Sequence, residues 1–459
     1  MVTLIPPAHR PQDPDKAEFR PDLMPADAYI TEKYLDLEDE RLWPRTWQIV
    51  CRHEEIPDVG DFVTYDIVDE SIIVVRTAPD EVKAYYNVCL HRGRRLKDGC
   101  GNTGKTIFCR FHGWTWNVDG TIKRIVDRED WDGCPSFKDE DLSLREVKVA
   151  SWGGWVWISM DPSIESLESY LDPVPDVFKN FELEDLRFAW YKTLVVPCNW
   201  KVMIDAFNEG YHTEATHPQV GARSALGTLS VAHGKHSMFW FPSPEKAKKR
   251  AAMAPAGFDF RPAIRDGIVD LRSTLNALAS DFRVRAAERL VAEGPEGASV
   301  PELVATLMKF HREELEKSGA KWPENLTDAD IYRAGTDWHI FPNTIILPSA
   351  DSILWYRARP NGRDVNSCIF DVWNLERFAE GKAPPLNREH FPNVESFAGQ
   401  NSFLEQDFGN IAAVQKGMKS RGFTAARTNP VQEVPINNFH KVLYRYLATP
   451  PDQPAPKIG

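Results

Sequence analysis

The sequence predicts an α+β protein in two parts, a small all-β domain followed by a larger domain of mixed strands and helices. Three observations predict it. Between residues 61 and 159 short apolar segments alternate with turn residues. Beyond Pro162 longer stretches of helical periodicity join the strand-like ones. The length of 459 residues, with 42% hydrophobic and 27% charged, suits a globular chain able to bury cofactors deeply without disulfide staples.

Taken in order, residues 26–47 place Tyr29, Ile30, Tyr34, Leu35, Leu37, Leu42 and Trp43 at mostly helical spacing and predict one packing helix. A helical segment over residues 1–40 is expected to pack on the larger domain. The all-β domain is expected over residues 41–162, from runs such as Phe62-Val63-Thr64-Tyr65, Ile72-Ile73-Val74-Val75 and Trp155-Val156-Trp157-Ile158, with Asp119-Gly120 as a turn. The larger domain, residues 163–459, opens on a strand at 191–196 and a helix at 200–216, and carries a further strand at 344–347. An Ala-rich, charged helical insertion covers about 241–338.

Several classes are excluded at this level. No window is long and apolar enough for a membrane span, and the polar, proline-bearing start lacks a secretory pattern, so cytoplasmic residence is expected. A net charge of -12 gives no general reason to bind nucleic acid. Seven scattered cysteines read as reduced thiols.

Two constellations carry chemistry. Cys89-Leu90-His91 is followed, after seventeen residues, by Cys109-Arg110-Phe111-His112. A structural zinc site usually pairs cysteine with cysteine and histidine with histidine. Here each arm mixes one thiolate with one imidazole, which suits a [2Fe-2S] centre with two cysteines on one iron and two histidines on the other. Gly93 and Gly113 follow the arms and allow close backbone approach.

Residues 87–125, with Cys89-Leu90-His91-Arg92-Gly93, Cys109-Arg110-Phe111-His112-Gly113-Trp114 and the Trp116-Asn117-Val118-Asp119-Gly120 hairpin, resemble the Rieske domain of bacterial ring-hydroxylating oxygenases. Respiratory Rieske proteins carry an extra cysteine beside each arm; this chain has none there, and Cys100 stands alone. Arg92, Arg94, Arg95 and Lys97 make a basic run that either docks an acidic ferredoxin or is a solvated loop with internal ion pairs.

The second constellation follows Asn199-Trp200-Lys201. Glu209 and His212, three apart, would share a helix face. His217 precedes Pro218, which disfavours helical geometry and lets the chain turn so that both imidazoles converge. Two histidines and a carboxylate form the facial triad of non-haem Fe(II) oxygenases. Glu209-Gly210-Tyr211-His212 with His217-Pro218 resembles the family's mononuclear iron motif, in which the acid before the first histidine bridges to the neighbouring subunit. Ring-hydroxylating dioxygenases usually carry Asp there. Glu209 departs from that and is used by some amine-demethylating members, with Asp205 a competing bridge.

The family's acid-rich motif resembles Phe403-Leu404-Glu405-Gln406-Asp407, ahead of a helical run at 411–418, and implies Asp407 as third ligand with Glu405 as fallback. An ordinary acidic helix start is the alternative explanation.

The resemblance, which extends to Phe341-Pro342-Asn343 and Phe439-His440 and is thin over the insertion, implies a Rieske domain plus a helix-grip-like catalytic domain with an antiparallel sheet. It also implies a [2Fe-2S] cluster, a mononuclear Fe(II), O2, and NAD(P)H electrons delivered through a reductase or ferredoxin. A homotrimer is expected, with α3β3 or a dimer of trimers as variants. The expected reaction is hydroxylation of an aromatic substrate, dioxygenation ahead of monooxygenation, and the alternative is O- or N-demethylation. A Rieske electron carrier and a zinc-stabilised binding module are the rivals from other classes.

Overall fold

The structure, a computed structural model, describes residues 23–458 apart from 136, 218–226, 242 and 256. It divides into two compact units: Glu38–Tyr170, and a second that joins the described residues up to Leu37 to the chain from Leu171 onward.

In the smaller unit seven strands form one antiparallel sheet in the order Gln48–Arg52, Trp155–Ser159, Glu146–Trp152, Glu81–Tyr86, Glu70–Ala78, Asp61–Ile67 and Cys100–Asn102. A second sheet of three short strands, Thr106–Phe108, Thr115–Asn117 and Ile122–Arg124, follows. Ile73, Val75 and Tyr85 of the large sheet share a core with Ile107 and Trp116 of the small one. The Trp116 indole N–H is satisfied by the Leu142 carbonyl at 2.7 Å, so this large ring is buried without an orphaned donor.

The larger unit is built on eight strands: Leu229–His233, His236–Trp240, Asp337–Ile340, Thr344–Leu347, Ser352–Asn361, Asp364–Glu376, Arg187–Val196 and Arg388–Phe391. All neighbours are antiparallel except the last pair. Helix Trp200–Phe207 packs on the middle of this sheet and against helix Ser402–Met418, while Val434–Ala448 covers the first hairpin. The insertion interrupts two strands that are themselves hydrogen-bonded neighbours, with Met238 opposite Trp338. Its helices Phe260–Leu275, Asp281–Glu293 and Val300–Lys317 close a core of their own around Ile268, Ala286, Ala287, Leu290, Leu303, Leu307 and Phe310.

Two expected helices are broken. Over 26–47 the structure has Asp27–Ile30, Glu32–Arg41 and a 3-10 turn at Trp43–Arg45. Thr31 is extended between the first two, and its hydroxyl joins its own N–H on the Asp27 carbonyl, a local side-chain bond that competes with helix propagation. Residues 1–22 of the expected N-terminal segment lie outside the described residues. Over 200–216 the helix stops at Phe207 and resumes only for Thr213–Thr216.

His339 on strand Asp337–Ile340 is fully buried, its Nε2 donating to the Pro342 carbonyl at 3.2 Å. Burial lowers this imidazole from 6.5 to about 4. The neutral ring's contribution is therefore whole above about pH 6.5 and is lost as pH falls towards about 4. His339→Gln is expected to flatten the fall in melting temperature across that window, and an unchanged slope would remove His339 from acid unfolding.

Candidate cluster site and mononuclear metal centre

The two arms of the smaller unit fold alike. In each, the glycine N–H closes the turn onto the cysteine carbonyl, Gly93 to Cys89 at 2.9 Å and Gly113 to Cys109 at 3.1 Å. In each, the cysteine N–H donates to the carbonyl five residues on, Arg94 or Trp114, at 2.8 Å. Both glycines sit in the left-handed region, at φ of +73° and +76°, which is why glycine stands there.

The turns bury Cys89 and Cys109 in the apolar cluster with Phe62, Leu96, Trp114 and Ile125. His91 and His112 lie with ring centroids 4.6 Å apart, and the Nδ1 of each is buried without a hydrogen-bond partner. Trp114 stacks on His91 at 5.1 Å and fixes its plane. Burial pushes the Cys89 thiol up to about 11, against backbone N–H groups of His91 and Arg92 that favour the thiolate. Burial, with His112 and Arg92 nearby, lowers His91 and keeps it neutral, the form that binds metal.

Asn87 clamps the loop behind the first arm, its amide donating to Ser71 and the Lys97 carbonyl and accepting from the N–H of Leu96 and Lys97. Of the basic run, Arg95 is paired with Asp66 and Asp98, and Lys97 lies over the Phe62 ring. Arg92, over the Phe111 ring, and Arg94 are exposed.

In the larger unit the structure brings together His212, His217 and Asp407, whose ligand atoms all lie within 4.8 Å of one another. Among the described residues that is the one such group. The four arm residues do not gather on one point as a single tetrahedral zinc would require, whereas a diiron cluster keeps its thiolate and imidazole pairs on separate metals. Asp407 Oδ1 is 3.1 Å from His217 Nε2 and 3.5 Å from His212 Nε2. That His217 nitrogen is buried and unpartnered by any hydrogen bond. Each imidazole is held from its far side: His212 Nδ1 donates to Glu209 Oε1 at 2.5 Å, and His217 Nδ1 donates to Gln406 Oε1 at 2.8 Å. Phe403 stacks on His217 at 3.8 Å. Burial alone would lower His212, but Glu209 and Asp407 outweigh it and hold it above its ordinary range. A donor set with this negative potential fits a divalent cation.

Glu209 and His212 do not share a helix. The Glu209 carboxylate accepts the backbone N–H of both Tyr211 and His212, fixing the turn just ahead of the short helix that His217 ends. His217 leaves helical geometry at φ -115°, ψ 77°; Pro218 lies outside the described residues. Asp205, the rival bridge, is engaged elsewhere, accepting from Tyr29 at 2.6 Å and His440 at 2.9 Å. Glu405, the fallback ligand, instead accepts the Asn401 N–H at the start of Ser402–Met418, and Asp407 lies within that helix rather than ahead of it. Sequence reasoning misses Tyr29, Gln406 and Phe403 because their partners are far along the chain.

Glu209, His212 and Asp407 stand in a wall between two hollows. One is a cavity of about 460 Å³ lined by Phe207, Phe239, Phe241, Tyr356 and Phe403, and roofed by insertion residues including Leu271, Met308 and Ile331. The other, about 270 Å³, is lined by Asp205, Asn410, Val414 and Glu433. Burial, with the charges of Glu209 and Asp205, pushes Glu433 up to about 7 against the Asn429 N–H.

Residues 183–449 match the family described as the ring hydroxylating alpha subunit (catalytic domain), and residues 46–138 match the Rieske [2Fe-2S] domain. The chain belongs to the Rieske ring-hydroxylating oxygenases. Members hold a Rieske [2Fe-2S] cluster in one domain and a mononuclear iron in the other. This oxygenase is 32% identical over 200 residues to the carnitine monooxygenase oxygenase subunit of Escherichia coli (strain K12), covering 42% of the chain and 52% of the relative. It thus spans about half that relative's length. It is 23% identical over 412 residues, 86% of the chain and 80% of the relative, to the biphenyl dioxygenase subunit alpha of Paraburkholderia xenovorans (strain LB400). In fold it is similar to the quaternary ammonium Rieske monooxygenase CntA in complex with gamma-butyrobetaine, with a TM-score of 0.61, 18% identity, and 93% and 97% of the two chains covered. No described helix is long and apolar enough to cross a membrane.

The arms set a graded test. A Cβ at Gly93 would meet nothing within 4 Å, whereas at Gly113 it would meet Val126 at 3.1 Å. Gly93→Ala carries only the left-handed backbone cost of about 1–2 kcal/mol, and Gly113→Ala adds a clash. Visible absorption per chain is expected to fall in the order wild type, G93A, G113A; equal loss would show that the turn strain alone governs the arm.

Proposed function

We propose that this oxygenase holds its [2Fe-2S] cluster with Cys89, Cys109, His91 and His112 and its Fe(II) with His212, His217 and Asp407, and that it is a monooxygenase acting on a quaternary ammonium substrate. One oxygen atom of O2 enters a C–H bond beside the nitrogen, the C–N bond of the resulting carbinol then breaks, and the other oxygen leaves as water with two electrons and two protons supplied. Bound iron supplies O2 activation, and the cluster supplies electrons one at a time from a reductase or ferredoxin drawing on NAD(P)H.

The chain's own residues do the positioning. Gln406 and Glu209 each occupy one imidazole nitrogen and so turn the other towards the metal. Glu209, reaching both hollows, is the bridge favoured over Asp205 for carrying an electron to His212. Inter-subunit electron transfer is described for CntA, which supports a homotrimer in which one chain's cluster serves the next chain's iron.

The observation that carries the substrate class is Asp337. It lines the cavity, is 1% exposed, and its Oδ1 has no hydrogen-bond partner. Burial, with Glu209 nearby, raises its carboxyl well above the ordinary range and favours the neutral form, and a cation bound beside it would favour the carboxylate. A quaternary ammonium group has no N–H to donate, so it is recognised by charge and by aromatic faces. Asp337 beside Phe207, Phe239, Phe241 and Tyr356 offers both. Glu209 in place of Asp agrees with the amine-demethylating members.

Wild type is expected to bind about three irons per chain. His217→Ala or Asp407→Ala should leave about two with visible absorption intact, and His112→Ala should lose the absorption; a variant pattern in which all three residues affect one metal pool would sink the assignment. Asp337→Asn, assayed by reductase-coupled O2 uptake with trimethylammonium substrates, is expected to raise KM by about tenfold, as loss of a charge partner worth roughly 1.4 kcal/mol, with kcat within about twofold. Turnover of aromatic hydrocarbons that Asp337→Asn leaves unaltered, with none of quaternary amines, would return the reading to ring hydroxylation.

A further inference from the structure

The insertion side of the cavity carries a guanidinium with no carboxylate on it. Arg283, in helix Asp281–Glu293, lines the cavity together with His311 and Ser349. Its Nη1 donates to the Leu278 carbonyl at 2.9 Å and, at 3.4 Å, to the Ser349 hydroxyl. Its Nε is buried without a partner, and among the described residues no ion pair reaches it. Asp351 lies close enough to act on Arg283 by charge but makes no ion pair with it: its Oδ2 accepts from Ser280 and from His311 Nε2 at 2.8 Å, and its Oδ1 is buried without a hydrogen bond. Burial lowers Arg283 from its ordinary range, with Asp351 opposing the shift.

Donors withheld from water without acceptors cost about 1–3 kcal/mol each. With Nη1 engaged and Nε closed off, Nη2 is left to give a carboxylate a charge-assisted hydrogen bond. On the insertion side Leu271, Leu275, Met308 and Ile331 are apolar, Asp270 and Thr274 also line the wall, and Arg283 is its one guanidinium.

We propose that Arg283 anchors a carboxylate of the substrate, so that the cavity takes a zwitterion with its anionic end on the insertion and its ammonium end towards Asp337. The ammonium end rests on the function proposed above; the anionic end rests on Arg283 alone. Specificity then includes the length of the spacer between the two charges, because the anchor lies on a helix of the insertion and Asp337 on a strand of the sheet.

Calorimetry on the iron-loaded, oxidised enzyme without O2 separates the two. The probes are trimethylammonium carboxylates of graded chain length with their methyl esters, and benzoate with methyl benzoate. Wild type is expected to bind the best-fitting acid about tenfold or more tighter than its ester. Arg283→Gln should abolish that preference while leaving ester affinity within about twofold, and Arg283→Lys should restore part of it. A preference for benzoate that depends on Arg283, with no binding of any ammonium probe, would keep the anchor and remove the ammonium reading. Equal binding of acids and esters by wild type overturns the anchor without recourse to any variant, whether or not quaternary amines are turned over.

Discussion

A buried imidazole nitrogen with nothing to bond costs about 1–3 kcal/mol; His91 Nδ1 and His112 Nδ1 are in that condition, and His217 Nε2 makes no hydrogen bond although the Asp407 carboxylate lies 3.1 Å away. Such atoms are tolerable if a metal completes them, as the proposed ligand sets have it, and the remainder of each ring is fixed in advance. Trp114 lies flat on His91, and Phe403 on His217. Gln406 and Glu209 take the second nitrogen of the mononuclear pair. The orientation cost is therefore met during folding, and the metal meets donors that do not have to be gathered.

The same constraint explains why the helix after Asn199 stops where it does. A continuous helix through residue 216 would carry His212 and His217 to different faces. Ending at Phe207 lets the Glu209 carboxylate take the N–H groups of Tyr211 and His212 in the turn before the next helix. One carboxylate thus fixes the turn leading into the helix that delivers His217 and orients the ring of His212. It also puts Glu209, His212 and Asp407 in the lining of both hollows, so the candidate metal centre lies between the larger cavity and the second depression.

What is legible in the sequence follows from where each interaction lies along the chain. The cluster arms are legible because their chemistry is local: a mixed Cys-His pair and a glycine four residues after the cysteine specify one turn, twice. Asp407 is legible by family resemblance, although its helix starts earlier than expected because Asn401 caps it and Glu405 assists the cap. The break after Phe207 is not legible, since side-chain capture of backbone N–H groups leaves no trace in apolar periodicity. Nor are the partners of Asp205, because Tyr29 and His440 come from opposite ends of the chain. Asp337 looks like any polar residue beginning a strand, and only the sheet's register against Phe239 sets it at the cavity.

The rings that line the cavity suit an aromatic substrate and a cation equally, and the charged groups around them are what the proposed quaternary ammonium reading rests on. An apolar ring gains nothing from a buried carboxyl or a half-buried guanidinium, and each would be cheaper to replace by a hydrophobe of similar size. Opposite charges in a low dielectric attract strongly, so free to move they would pair with each other and fill the space. Here Arg283 is tethered by the Leu278 carbonyl at the start of its helix, and Asp337 by its strand pairing. The helical insertion, built round its own small core, carries Arg283 on a different element from the strand that carries Asp337. A cavity with polarity fixed in this way has its complement specified by charge at each end as well as by volume.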